Sequence, residues 1–182
     1  MKLRSLILAC ATAAGASLLS GQSLDQALQA KVDARIKEIA AWGSDPVLVE
    51  AVRAHNAAVP PEYAALTQDQ WRSLTVLDPV VRGLTKGPVG QFLKAHRDEV
   101  VTEAFVSDAA GLKVGFIAKT TFWCHLGKAK HDVPMTGKTW QGPVEVDESS
   151  GQQQLQVAVP VMDGDRPIGS LVVGLSVNKL KS

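Results

Sequence analysis

The stretch VTEAFVSDAAGLKVGFIAKT, residues 101–120, decides the fold class that the sequence predicts. Two apolar runs flank a short polar turn, SDAAG, and apolar and polar residues alternate along them as in half-buried antiparallel strands. A second stretch of the same form, VAVPVMDGDRPIGSLVVG at residues 157–174, turns at Asp163-Gly164-Asp165. The two stretches together predict two β-hairpins in the second half of the chain.

The rest of the chain completes an α+β plan. Residues 23–41 place an apolar side chain at every third or fourth position, which predicts a long helix with Ser23 as its cap. Shorter helices are predicted at residues 46–56, capped by Asp45, and at residues 67–74, 79–84 and 88–96. Strands are predicted at residues 100–107, 112–120, 139–146, 152–161 and 167–177. Helices followed by strands indicate an α+β domain, with a helical part at residues 23–98 and a five-stranded antiparallel sheet at residues 99–180.

One irregular segment, TTFWCHLGKAKHDVPMTGK at residues 120–138, interrupts the strands. We expect this segment to lie over one face of the sheet as a lid, because it separates the second strand from the third. A cavity between a sheet and such a lid is a natural binding site for a small ligand.

The first 21 residues have the layout of a secretory signal peptide: a basic MKLRS, an apolar run and then small residues. The apolar run is shorter than the roughly 20 residues that a membrane-spanning helix needs. We therefore expect cleavage after Gly21 and an exported mature domain at residues 22–182, periplasmic or secreted. Its single cysteine, Cys124, cannot form an internal disulfide.

The charge balance and the motifs exclude several functions. Lys and Arg number 19 against 18 Asp and Glu, so there is no basic excess for nucleic acid. The sequence contains no serine elbow, phosphate-binding loop or dinucleotide fingerprint. We therefore expect a protein that is not an enzyme and that carries no cofactor.

Three segments resemble the Cache family of extracellular sensor domains, the PAS-like modules of bacterial receptors. They are FVSDAAGLKV at residues 105–114, KTTFW with the following GKAK, and the last three strands at residues 142–180. The resemblance implies a single-Cache fold whose pocket binds a small carboxylate or an amino-acid-like solute. It also implies action through a partner, such as a membrane receptor or another signalling protein. The chain departs from the family pattern at Gly127 and Lys128, where acidic residues are expected.

Five residues are candidates for ligand binding. Lys130, which the family pattern shares, and Lys128 offer positive charges for a carboxylate, although loop lysines are often merely solvated. Trp123 offers an aromatic wall, or simply packs in the core. Thr120 offers a hydrogen bond, and Asp147 either pairs with a ligand ammonium or closes its own turn.

Two rival hypotheses stay open beside the sensor. Cys124, His125 and His131 supply a thiolate and two imidazoles, which suit zinc or copper, although their spacing is not a standard zinc pattern. Such a cluster would make the protein a metal- or redox-handling one. The other rival is a structural accessory subunit without a ligand. We also expect a homodimer through the N-terminal helix, since an exposed apolar stripe would otherwise be a liability.

Overall fold

A computed structural model describes residues 24–146 and 152–182. The predicted signal peptide, its cleavage site and the predicted cap Ser23 lie outside these residues. The described helices are α1 (Gln26–Gly43), α2 (Pro46–Ala57), α3 (Pro61–Ala64), α4 (Gln68–Ser73), α5 (Pro79–Lys86), α6 (Pro88–Ala95), α7 (Ala129–Asp132) and α8 (Val177–Lys181), with a 3₁₀ turn at Pro134–Thr136. The described strands are β1 (Val101–Asp108), β2 (Lys113–Phe116), β3 (Trp140–Val146), β4 (Gln153–Asp163) and β5 (Arg166–Ser176).

The strands form one antiparallel sheet in the order β2-β1-β5-β4-β3. The β1–β2 and β4–β5 hairpins are those that the sequence predicts, and the α+β fold class is confirmed. The hairpins lie side by side because β1 pairs with β5, with Val106 opposite Leu171. Long-range pairing of β1 with β5 therefore joins the two local units into one sheet.

The two faces of the sheet have different neighbours. Along β4, Leu155, Val157 and Val159 belong to the large apolar core, which also contains buried residues of α1 and α2. The alternating residues Gln154 and Gln156 lie on the opposite face, toward the lid. Because side chains alternate along a strand, a slip of one residue would bury the glutamines and expose the valines. This alternation fixes which face can carry a polar site.

Helix α1 starts two residues later than its predicted cap implies. Asp25 is the cap, and its carboxylate accepts a 2.8 Å hydrogen bond from the Leu28 amide. The buried side chains of α1, such as Val32 and Ile39, pack in the same core as the sheet. The apolar stripe is thus used inside the domain, which removes the reason for expecting self-association through it.

Strand β2 is shorter than predicted, ending at Phe116 rather than at Thr120. The Ile117 amide still donates to the Ala104 carbonyl of β1 at 3.0 Å, but the carbonyls of Thr120 and Thr121 bind side chains of α4. The Trp71 indole nitrogen donates to the Thr120 carbonyl at 2.8 Å, and the Gln68 amide donates to the Thr121 carbonyl at 2.9 Å. The lid is therefore fixed to the helical part of the chain.

Within residues 24–146 and 152–182, none of the helices combines the length and apolar composition needed to cross a membrane.

Candidate functional site

A cavity of about 310 Å³ lies between the sheet and the lid. Strands β1 and β4 supply one wall, and the segment after β2 together with α7 supplies the other. The volume is at the lower end of the range for ligand pockets, which favours a small ligand. Its lining residues are Thr102, Glu103, Phe105, Thr120, Thr121, Phe122, His125, Lys130, Gln154 and Gln156.

A positive and a negative group face this cavity, bridged by one amide. The Lys130 ammonium donates to Gln156 Oε1 at 2.8 Å, and Gln156 Nε2 donates to Glu103 Oε1. Burial lowers the pKa of Lys130, while the nearby Glu103 carboxylate opposes that shift. The cavity thus presents a partly desolvated cation and an acceptor on opposite sides of Gln156.

Apolar and hydroxyl groups complete the lining. Phe105 and Phe122 both line the cavity, and Phe122 is 39% exposed. The Thr102 hydroxyl donates to Gln154 at 3.0 Å, whereas the Thr120 hydroxyl donates to the Phe122 carbonyl at 2.9 Å. The hydroxyl of Thr120 therefore stiffens the lid, and its oxygen is left as an acceptor.

A second basic residue lies behind this lining. Lys113 is fully buried, with its Nζ 2.9 Å from His125 Nδ1 and 3.1 Å from the centroid of the Phe105 ring. Burial lowers the pKa of Lys113 well below its ordinary value, and the charge of Lys130 lowers it further. Burial, with the repulsion of Lys113 next, lowers the pKa of His125 to about 2. The imidazole of His125 is therefore neutral at physiological pH.

The structure places the five predicted ligand residues in different surroundings. Thr120 and Lys130 line the cavity. Trp123 is in the core, 3% exposed and 5.1 Å from the ring of Trp71. Lys128 is exposed, with its Nζ 4.8 Å from the Phe122 ring. Asp147 lies outside the described residues, and ligand binding by all five stays a prediction.

The structure does not bring the predicted metal ligands together. His125 Nδ1 contacts Lys113, and His131 Nδ1 contacts the Ser170 hydroxyl at 2.8 Å. The Cys124 thiol lies 3.4 Å from the Ala110 carbonyl. In the part of the chain that the structure describes, no group of three or more His, Cys, Asp or Glu side chains is placed to hold a metal ion.

Sequence reasoning missed Glu103, Gln154 and Gln156 as lining residues. The signal for them was the alternation along β1 and β4, which puts these polar residues on the face opposite the valines. Lys113 gave a weaker signal, a single lysine at the start of an apolar strand.

The chain was compared with protein-family models, with curated proteins and with solved structures. No protein-family model matches the chain, and no curated protein matches it. Solved structures of similar fold do exist. The sensor domain of the V. cholerae histidine kinase DctB has 14% identity and a TM-score of 0.49, covering 85% of this chain and 54% of that one. This chain thus spans about half the length of that domain.

Two further solved structures are similar. The E. coli DcuS sensor domain has 12% identity and a TM-score of 0.44, covering 86% of this chain and 96% of that one. The ligand-binding domain of the Pseudomonas aeruginosa amino acid chemoreceptor PctC, in complex with GABA, has 13% identity and a TM-score of 0.39. That match covers 85% of this chain and 61% of the receptor domain.

Proposed function

We propose that this protein is an exported sensory domain that binds a small carboxylate or amino-acid-like solute non-covalently in the cavity beneath the lid. The observation that carries the proposal is the pair of opposite charges, Lys130 and Glu103, held on either side of Gln156 at one small cavity.

Lys130 supplies the ligand's main anchor. A carboxylate that enters the cavity replaces Gln156 Oε1 as the acceptor of the Lys130 ammonium. The ligand's negative charge makes this ion-paired hydrogen bond, at about 1.5–3 kcal/mol, stronger than the ammonium–amide bond that it replaces. An α-amino group on the same ligand would form a salt bridge with the Glu103 carboxylate. Phe105 and Phe122 would then contact the ligand's carbon atoms, at about 0.8 kcal/mol per buried methylene.

The lid connects the ligand cavity to helix α4 in the helical part of the domain. Thr120 and Thr121 line the cavity, while their carbonyls accept hydrogen bonds from Trp71 and Gln68 of α4. A ligand that draws in the lid therefore shifts α4 as well. Through the movement of α4 the domain acts on a partner, a membrane receptor or another signalling protein.

A thermal-shift screen of the full-length protein tests the proposal. The panel contains short carboxylates, amino acids and simple amines. A ligand at 100 times its Kd stabilises the fold by about 2.7 kcal/mol, which raises the Tm by about 5–10 °C for a domain of this size. We expect carboxylates or amino acids to raise the Tm of the wild type.

Two lysine variants show whether the shift comes from the cavity. Lys130→Met should lose the response, and Lys138→Met, at an exposed position outside the cavity lining, should keep it. A response to amines alone, or an undiminished response in Lys130→Met, would contradict the proposal.

A further inference from the structure

Lys113 is a buried basic residue that is not among the residues lining the proposed carboxylate site. Its side chain is fully buried, and among the described residues it forms no salt bridge. Its Nζ has the Phe105 ring on one side and His125 Nδ1 as its hydrogen-bond partner. Because a buried charge is costly, the protonation state of this amine depends on whether His125 donates or accepts the hydrogen bond between them.

His125 connects this amine to the cavity. One ring nitrogen, Nδ1, faces Lys113, and the ring lines the cavity, which leaves Nε2 as the nitrogen available to a ligand. The ring is held in place, because it lies 4.6 Å from Phe105 and its backbone amide donates to the Gly111 carbonyl at 2.8 Å. His125 is 2% exposed and Lys113 is 0% exposed, so His125 is the member of the pair that solvent can reach.

The pair has two proton arrangements. When Lys113 is a neutral amine, it is a stronger base than imidazole, so His125 Nδ1–H donates to Nζ and Nε2 carries a lone pair. When Lys113 is an ammonium, it donates to Nδ1, and the neutral ring must carry its proton on Nε2. The charge on Lys113 thus decides whether the cavity meets an acceptor or a donor.

We propose that the Lys113–His125 pair couples ligand binding to proton uptake: a ligand oxygen at His125 Nε2 draws one proton from solvent into the pair. The incoming proton adds to Nε2, and the Nδ1 proton moves to Lys113 Nζ. The ring stays neutral, Lys113 becomes an ammonium, and Nε2–H donates to the ligand. No water need reach the buried amine, because the proton passes through the imidazole.

The charged and titratable groups around the pair explain why an anion drives this step. Lys130 opposes a charge on Lys113, and Glu103 and Cys124 favour it. Lys128 and His131 act on the His125 side, where positive charge lowers the pKa of the imidazole. A carboxylate bound to Lys130 offsets the main opposing charge and so favours the ammonium form of Lys113.

This inference rests on the proposed carboxylate site, but its first test needs no ligand. The ring nitrogens of ¹⁵N-histidine-labelled full-length protein are followed by NMR from pH 9 to pH 5, and His125→Gln assigns the signals. We expect His125 to change from the Nδ1–H to the Nε2–H tautomer as the pH falls, without becoming an imidazolium. A single tautomer throughout, or a doubly protonated ring, would overturn the relay.

Variants separate the relay from a packing role. Lys113→Met removes the amine but keeps an unbranched side chain of similar length that can still pack beside an aromatic ring. The tautomer change should disappear in Lys113→Met and persist in Lys138→Met. A tautomer change that survives in Lys113→Met would mean that another group titrates, and would refute the role of Lys113.

Acetate is the ligand with which the coupling between binding and proton uptake is tested. It is added at a pH where His125 is Nδ1–H, until the amide signals of Thr120 and Gln156 stop moving. We expect the ring to change to Nε2–H, with an acetate affinity that falls tenfold per pH unit above the Lys113 midpoint. Movement of those amides without a tautomer change would refute the coupling. If no amide moves, the carboxylate site itself is contradicted, and the relay is judged by the pH series alone.

Discussion

Trp71 joins the core to the lid, and its replacement separates the two contributions. The side chain is 0% exposed and packs 5.8 Å from the Phe116 ring and 5.1 Å from the Trp123 ring. Its indole nitrogen donates to the Thr120 carbonyl at 2.8 Å. Trp71→Ala removes both packing and hydrogen bond, so we expect a loss of about 3–5 kcal/mol in the free energy of unfolding.

Trp71→Phe keeps most of the apolar volume and removes the hydrogen bond. The Thr120 carbonyl then loses its partner, which costs about 1–3 kcal/mol. Taking the middle of each range, we expect the free energies of unfolding of the two variants to differ by about 2 kcal/mol. Urea unfolding followed by far-UV circular dichroism measures both, because tryptophan fluorescence would change with the substitution.

Leu77→Ala is the matched control, since Leu77 is 75% exposed and its truncation should stay within about 0.5 kcal/mol of the wild type. A Trp71→Ala protein as stable as this control would refute the position of Trp71 in the core. A Trp71→Phe protein as stable as the wild type would refute the contribution of the Thr120 hydrogen bond.

Two smaller changes test the first hairpin and the buried histidine. Gly111 has φ +80°, and a Cβ there would clash with the Leu126 amide nitrogen, whereas Gly164 has φ +61° and open space around it. In thermal unfolding, Gly164→Ala should cost about 1–2 kcal/mol and Gly111→Ala more, and equal costs would contradict the close approach of the lid. His125 has a folded pKa of about 2, below its unfolded value, so its contribution to stability is complete above about pH 6.5 and is lost as the pH falls toward 2. Urea titrations at several pH values should show a slope that is smaller in His125→Gln by up to about 1.4 kcal/mol per pH unit, and parallel slopes would contradict a neutral buried ring.

The fold was predictable where its signals are local. The turns at Gly111 and Gly164 need positive φ, which glycine adopts without strain, and regular alternation flanks both. The end of β2 was not predictable in this way. It depends on Trp71, 49 residues earlier in the chain, which binds the Thr120 carbonyl. The cap of α1 was misplaced because Ser23 and Asp25 both suit the role, and only the contact with Leu28 decides between them.

The candidate site was predictable only on its lid side. Lys130 and Thr120 belong to one irregular segment, so a sequence pattern could single them out. Glu103 and Gln156 come from strands that meet only through the long-range pairing of β1 and β4 with β5. Lys113 was hidden for a different reason. A lysine in a strand ordinarily faces solvent, and its burial follows from the lid folding His125 over it.

A crystal structure with the carboxylate or amino acid that gives the largest thermal shift would decide whether the cavity is the binding site. We predict electron density for the ligand between Phe105 and Phe122, with a carboxylate oxygen within about 3 Å of Lys130 Nζ. Ligand density elsewhere on the domain, or in the cavity without contact to Lys130, would contradict the proposed function.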